Sequence, residues 1–173
     1  KIRSKAAAAL GAYASDSTIV ALETAIEDPD ALVVAQVISS LSLAGGEMVL
    51  PRILSCLDHS ASPVAIACLQ TLARFNTNEV EQAVLRALKS DDPEVVREAI
   101  TTTQSLDGET ALDLLTGCLQ HRAWNVRLAA AEAMLRRNLQ VSSRRLQRYI
   151  DVEEEVLVRS CLERLLNLKG GQE

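Results

Sequence analysis

The chain has 173 residues, 48 % of them hydrophobic but only 2 % aromatic, and a net charge of −5. That apolar content excludes a disordered chain, and the acidic balance argues against a general nucleic-acid binder. No run of 18 consecutive apolar residues occurs, so no membrane span is expected. With so few aromatic residues the core must be built from Ala, Leu, Val and Ile, small side chains that let helices approach closely.

A short signature recurs along the chain, an apolar residue that opens an Ala-rich helix. It reads Ile2-Arg3, Val34-Ala35, Val64-Ala65, Val96-Arg97, Val126-Arg127 and Val158-Arg159, at steps of 32, 30, 32, 30 and 32 residues. A fixed period of this size means stacked repeats. We divide the chain into units 1–15, 16–46, 47–76, 77–107, 108–138 and 139–169 of a single domain. Each full unit is an A helix, a polar turn and a B helix that carries the signature.

In chain order the helices are expected near 2–13, 17–27, 31–44, 47–57, 63–75, 78–89, 94–106, 109–120, 124–137, 142–151 and 155–168. The first stretch, Lys1 to Lys5 followed by an Ala-rich run, looks like a secretory signal. It nevertheless falls in register with the other copies, so a helix is expected. Helix entries carry Asp28-Pro29, Ser62-Pro63 and Asp92-Pro93; Asp92 is a natural N-cap, and proline is tolerated in a first turn. Exits are expected at Gly45-Gly46, Asn76, Asp107-Gly108 and Asn138, residue types that tolerate a left-handed cap. Strand signals are missing. The fold class is therefore all-α, a right-handed α-solenoid of about eleven helices. The first helix lacks an A partner and the last is apolar on more than one face, so both ends are expected to meet other protein, in a parent polypeptide or a second copy.

The turn-and-helix stretches 91–100 (DDPEVVREAI) and 125–135 (NVRLAAAEAML) resemble HEAT repeats, especially the bacterial type found in phycobilisome lyases. The resemblance implies that an Asp before the turn pairs with the Arg after the signature Val. Asp91 with Arg97 fits that pattern, and so does Glu153 with Arg159, whereas Ala35 and Ala65 break it. It also implies B helices lining a concave face. Residues two and six after each signature would then face a groove, with Gln36, Ser40, Ile66, Gln70, Glu98, Thr102, Leu128 and Glu132 as partner-binding candidates.

Little in the chain points to chemistry. Cys56 and His59 recur as Cys118 and His121, the ligand types of a structural zinc site. The two pairs lie two repeats apart, roughly 16–20 Å if neighbouring helices are spaced as usual, too far for one ion. Cys56, Cys68, Cys118 and Cys161 occupy core slots of the repeat, where free cysteine is a small hydrophobe; reduced thiols suit a cytoplasmic setting. No phosphate loop and no His-Glu helix motif occurs. No metal, cofactor or catalytic residue is expected, and the chain is not expected to be an enzyme.

Charge is uneven. Residues 16–60 hold seven acids against Arg52 alone, and residues 122–148 hold seven arginines against Glu132 alone. Arg136, Arg137, Arg144, Arg145 and Arg148 straddle one turn. They form either a solvated rim neutralised by Asp151 and Glu153 to Glu155, or a patch for phosphate or an acidic partner. Trp124 opens a B helix either as a packing staple or as a rim anchor. The leading expectation is a non-enzymatic protein-binding scaffold within a larger bacterial protein, its partner a helix or peptide. A lyase-like or chaperone-like role on tetrapyrrole proteins is the alternative that the resemblance allows. Nucleic-acid binding through the arginine cluster is a third, and acidity with no stacking aromatics makes it the weakest.

Overall fold

The computed structural model describes residues 1–75 and 77–170, the last two by backbone alone. Eleven α-helices and no strand occur among the described residues. They are α1 (Ile2–Leu10), α2 (Asp16–Ala25), α3 (Ala31–Gly45), α4 (Leu50–Ser55), α5 (Ser62–Leu72), α6 (Asn78–Ala87), α7 (Pro93–Thr102), α8 (Gly108–Cys118), α9 (Trp124–Arg136), α10 (Ser143–Val152) and α11 (Val156–Gly170). The chain folds as two compact bodies, residues 1–87 and residues from 88 onward.

In the first body the signature helices α1, α3 and α5 pack side by side, and α2 folds back on α3. Its core is Leu22, Val34, Ile38, Leu41, Ile53, Leu69 and Leu72, each under 2 % exposed. Gly11 follows α1 and lies so close to α3 that an added Cβ would sit 2.8 Å from the Ser40 Cβ. In the second body α7, α9 and α11 form the corresponding row, with α8 against α9 and α10 against α11. Ala130, Ala131 and Ala133 of α9 are fully buried there beside Val126, Met134, Leu146 and Leu162. The alanines keep the helices close, and each buried leucine contributes roughly 1.5–3 kcal/mol. Helical hairpins stacked on hairpins are the architecture of an α-solenoid.

Local chemistry sets the helix ends. Ser15, Asp30, Asp92, Asp107 and Ser142 accept backbone N–H groups at the starts of α2, α3, α7, α8 and α10. Asp92 caps α7 as its position in the turn suggests. Asp28 does not cap α3; its Oδ1 accepts the Asp30 N–H at 2.9 Å, and Asp30 is the cap. Ser62 is the first residue of α5 rather than its cap, and Asp107-Gly108 opens α8 instead of closing α7. Asn138 (φ 50°) is left-handed, as expected for an exit. Gly46 also has a positive φ (55°), but its ψ of −135° is not that of a left-handed cap and is a conformation that favours glycine. Asn76 lies outside the described residues.

Helix α4 is shorter than its expected 47–57, because Pro51 has no N–H to give to the Glu47 carbonyl. Leu50 gives its own instead, and residues 46–49 wind as a 3₁₀ turn. By length and composition the helical run 31–55 is apolar enough to cross a membrane. Gly46 interrupts it, and Val33, Val37, Ile38, Leu41 and Ile53 fill the core, so it reads as a core element.

Candidate partner-binding surfaces

The four B-helix candidates two places after a signature are half-buried: Gln36 and Ile66 in the first body, Glu98 and Leu128 in the second. The residues six places after it divide. Gln70 and Glu132 are exposed, whereas Ser40 and Thr102 are 1 % and 0 % exposed. Ser40 lies under Gly11 and meets the Gln36 side chain at 3.3 Å; the Thr102 hydroxyl donates to the Glu98 carbonyl at 2.9 Å. Ser40 and Thr102 therefore offer nothing to a partner. Trp124 is 44 % exposed in the first turn of α9, partly packed and partly open.

The arginines are sorted by what they meet. Arg97 does not reach Asp91; its guanidinium holds Glu94, three residues away on the same exposed face, at 2.8 Å. Asp91 faces Arg122 at 3.4 Å. Arg159 does approach Glu153, but at its backbone carbonyl. The Glu153 carboxylate belongs to Arg127, in a two-pronged pair of 2.7 and 2.8 Å. In the first body the Arg3 guanidinium grips both oxygens of Asp28 in the same way. The rule is a rung between repeats: the signature arginine reaches the acid in the turn of the following repeat, 25 or 26 residues on. Arg97 has no such acid, because its counterpart position falls at Arg122-Ala123. The spacing from Arg3 to Asp28 and from Arg127 to Glu153 carries this signal in the sequence, but a search within one turn overlooks it.

Electrostatics follow the rungs. The Arg127 hydrogen bond holds the Glu153 carboxyl below its usual range, and Arg3 does the same for Asp28. Glu153 is also among the few charged side chains that are buried.

The five-arginine cluster is not one surface. Arg137 is committed to structure, donating to the Thr103 and Leu106 carbonyls at 2.6 and 2.9 Å where α7 ends. Arg136 lies near Glu132, one helical turn back. Arg144 stands exposed at the start of α10. Arg145 and Arg148 line an open cleft of about 790 Å³ between the α8–α9 turn and α10. Gln120, His121, Arg122, Arg127 and Tyr149 are also in its lining, together with Glu153 and Glu154. The corresponding edge of the first body holds a smaller cleft of about 300 Å³, lined by Glu27, Asp28, Asp58 and Arg52.

The cysteine and histidine pairs have structural roles. All four cysteines are buried free thiols. Burial pushes the Cys118 thiol up to about 11 and raises Cys68 and Cys161 as well. His59 and His121 each turn Nδ1 to a backbone N–H two residues on, Ala61 at 3.0 Å and Ala123 at 3.1 Å. Those alanines are the N-caps of α5 and α9 and have no capping side chain of their own. The repeated histidine replaces the Asp or Ser of the other turns. Among the described residues no group of three metal-ligating side chains comes together.

Residues 50–136, half of the chain, match the family model described as HEAT repeats. That match is to HEAT repeats as a class and does not distinguish the phycobilisome lyase type. A crystal structure of an engineered protein from the Northeast Structural Genomics Consortium is similar to 97 % of this chain and 90 % of its own. Its TM-score is 0.51 at 19 % identity, a likeness of fold alone. No curated protein matches the sequence significantly.

Proposed function

Because the chain belongs to the HEAT-repeat family, we propose that it is a non-enzymatic scaffold that binds a helix or peptide of a protein partner on its signature helices. HEAT repeats are typically protein-interaction scaffolds, and this reading applies that general role to particular residues. The observation that carries it is the set Gln36, Ile66, Gln70, Glu98, Leu128 and Glu132. These recur at one register of α3, α5, α7 and α9 and keep surface that the repeat packing does not consume. They comprise two apolar, two neutral polar and two acidic side chains, a mixed surface on which Ile66 and Leu128 supply the apolar contacts. The buried free thiols suit a reducing compartment such as the cytoplasm.

Photo-crosslinking residues placed at Gln70 and Glu132 test the reading in cells of the source organism. The expected result is a recurrent protein adduct at Gln70 that is lost in Ile66→Arg, and one at Glu132 that is lost in Leu128→Arg, each variant keeping its helicity. Adducts that survive the substitution in their own body would remove the proposal.

A further inference from the structure

The cleft between the α8–α9 turn and α10 is a different surface from the signature-helix stripe. Four arginines line it against two glutamates, in a chain whose net charge is −5. One of those glutamates, Glu153, is already neutralised by Arg127. Arg145 and Arg148 carry no ion pair among the described residues and stand exposed on the cleft wall. Among the described residues the Arg122 guanidinium meets only the fully exposed Asp91, at its carboxylate and its backbone carbonyl, both at a long 3.4 Å. The equivalent edge of the first body is acidic, so the basic lining does not follow from the repeat itself.

We propose that this cleft binds a carboxylate-rich peptide segment of a protein partner. Guanidinium groups present paired donors that match carboxylate oxygens. Three such groups, from Arg122, Arg145 and Arg148, are available on one concave surface. The cleft is not purely polar: Leu119, the Tyr149 ring and the exposed Val152 line it too, which suits an acidic segment carrying an apolar residue. A nucleic-acid strand fits less well, because Tyr149 and His121 are the only rings in the cleft lining and offer no row of stacking platforms for bases. The volume, about 790 Å³, suits a short segment rather than a folded domain.

Fluorescence anisotropy on the full chain tests this with three probes: a fluorescein-labelled tetraglutamate peptide, its tetraglutamine counterpart, and an oligothymidylate of equal charge. Saturable binding of tetraglutamate alone is expected, weakening as salt rises. The Arg145→Gln/Arg148→Gln double variant should bind about tenfold more weakly with its helicity intact. An Arg136→Gln/Arg144→Gln variant, with the same charge removed outside the cleft, should bind as the parent does. Absence of saturable tetraglutamate binding would overturn the proposal, and so would equal loss in the two double variants. Tighter binding of the oligothymidylate than of tetraglutamate would reassign the cleft to nucleic acid.

Discussion

Glu153 is a charged side chain placed inside the protein, and Arg127 makes that tolerable. The pair is 5 % and 18 % exposed at its two side chains. Truncating the arginine strands a buried carboxylate, so Arg127→Met should cost about 2–4 kcal/mol in urea unfolding. Arg97→Ala removes only an exposed pair within one helix and should change stability by no more than about 0.5 kcal/mol. Equal losses would show that the rung between repeats is not the stabilising contact. Acid should expose the same pair. Glu153 titrates below its ordinary 4.5 in the folded chain, so its contribution is complete above that pH. It is lost as the pH falls through the lower folded value. Stability measured from pH 7 to pH 2 should therefore fall less steeply below pH 4.5 for Arg127→Met than for the parent chain. The thiols behave as core atoms. With Cys118 raised to about 11, a thiol reagent at neutral pH should label the native chain only at the rate of unfolding. Immediate labelling would place a cysteine outside the core.

Where α1 ends the chain runs close against α3, and the contact depends on a missing side chain. Gly11 is buried with the Ser40 Cβ where its own would stand. Gly11→Val should force the helices apart and destabilise the first body by about 1–3 kcal/mol, whereas Gly117→Ala in α8 meets no atom within 4 Å and should be neutral or slightly stabilising. A larger loss at Gly117 in thermal melts would contradict this packing. Helix positions were legible in the sequence because the period is carried by core residues such as Val64, Val96 and Val126, all fully buried. Cap identities were less legible. A run such as Asp28-Pro29-Asp30 offers two acids, and only backbone geometry selects the second. The rungs escaped because Arg127 and Glu153 are neighbours in space through stacking, not through local chain. The candidate stripe was legible in its register but not in its accessibility: Ser40 and Thr102 look like surface polar residues, yet both are buried.

At the scale of the whole molecule, apolar side chains remain open in both bodies: Ile2, Val20 and Met48 in the first, Val156, Leu157 and Leu168 in the second. Scattered exposure of this kind is ordinary, but it is also the basis for the expected contact with other protein at the outer helices. Sedimentation of the chain with Leu157→Glu and Leu168→Glu checks it: the parent should associate with rising concentration and the variant should not.

The two-body arrangement also gives the chain an optical asymmetry. Trp124 is its only tryptophan, and it sits half-exposed in the second body. Its emission therefore reports on that body and is blind to residues 1–87, whereas circular dichroism sees helices everywhere. Val34→Asp buries a charge in the first core and should lower the melting temperature seen by dichroism while the tryptophan signal lags behind. Val126→Asp should move the tryptophan signal fully and the dichroism curve only in the share that the second body contributes. A single dye-free sample thus yields two separable melting curves, and coincidence of the two curves for Val34→Asp would mean that the bodies unfold as one.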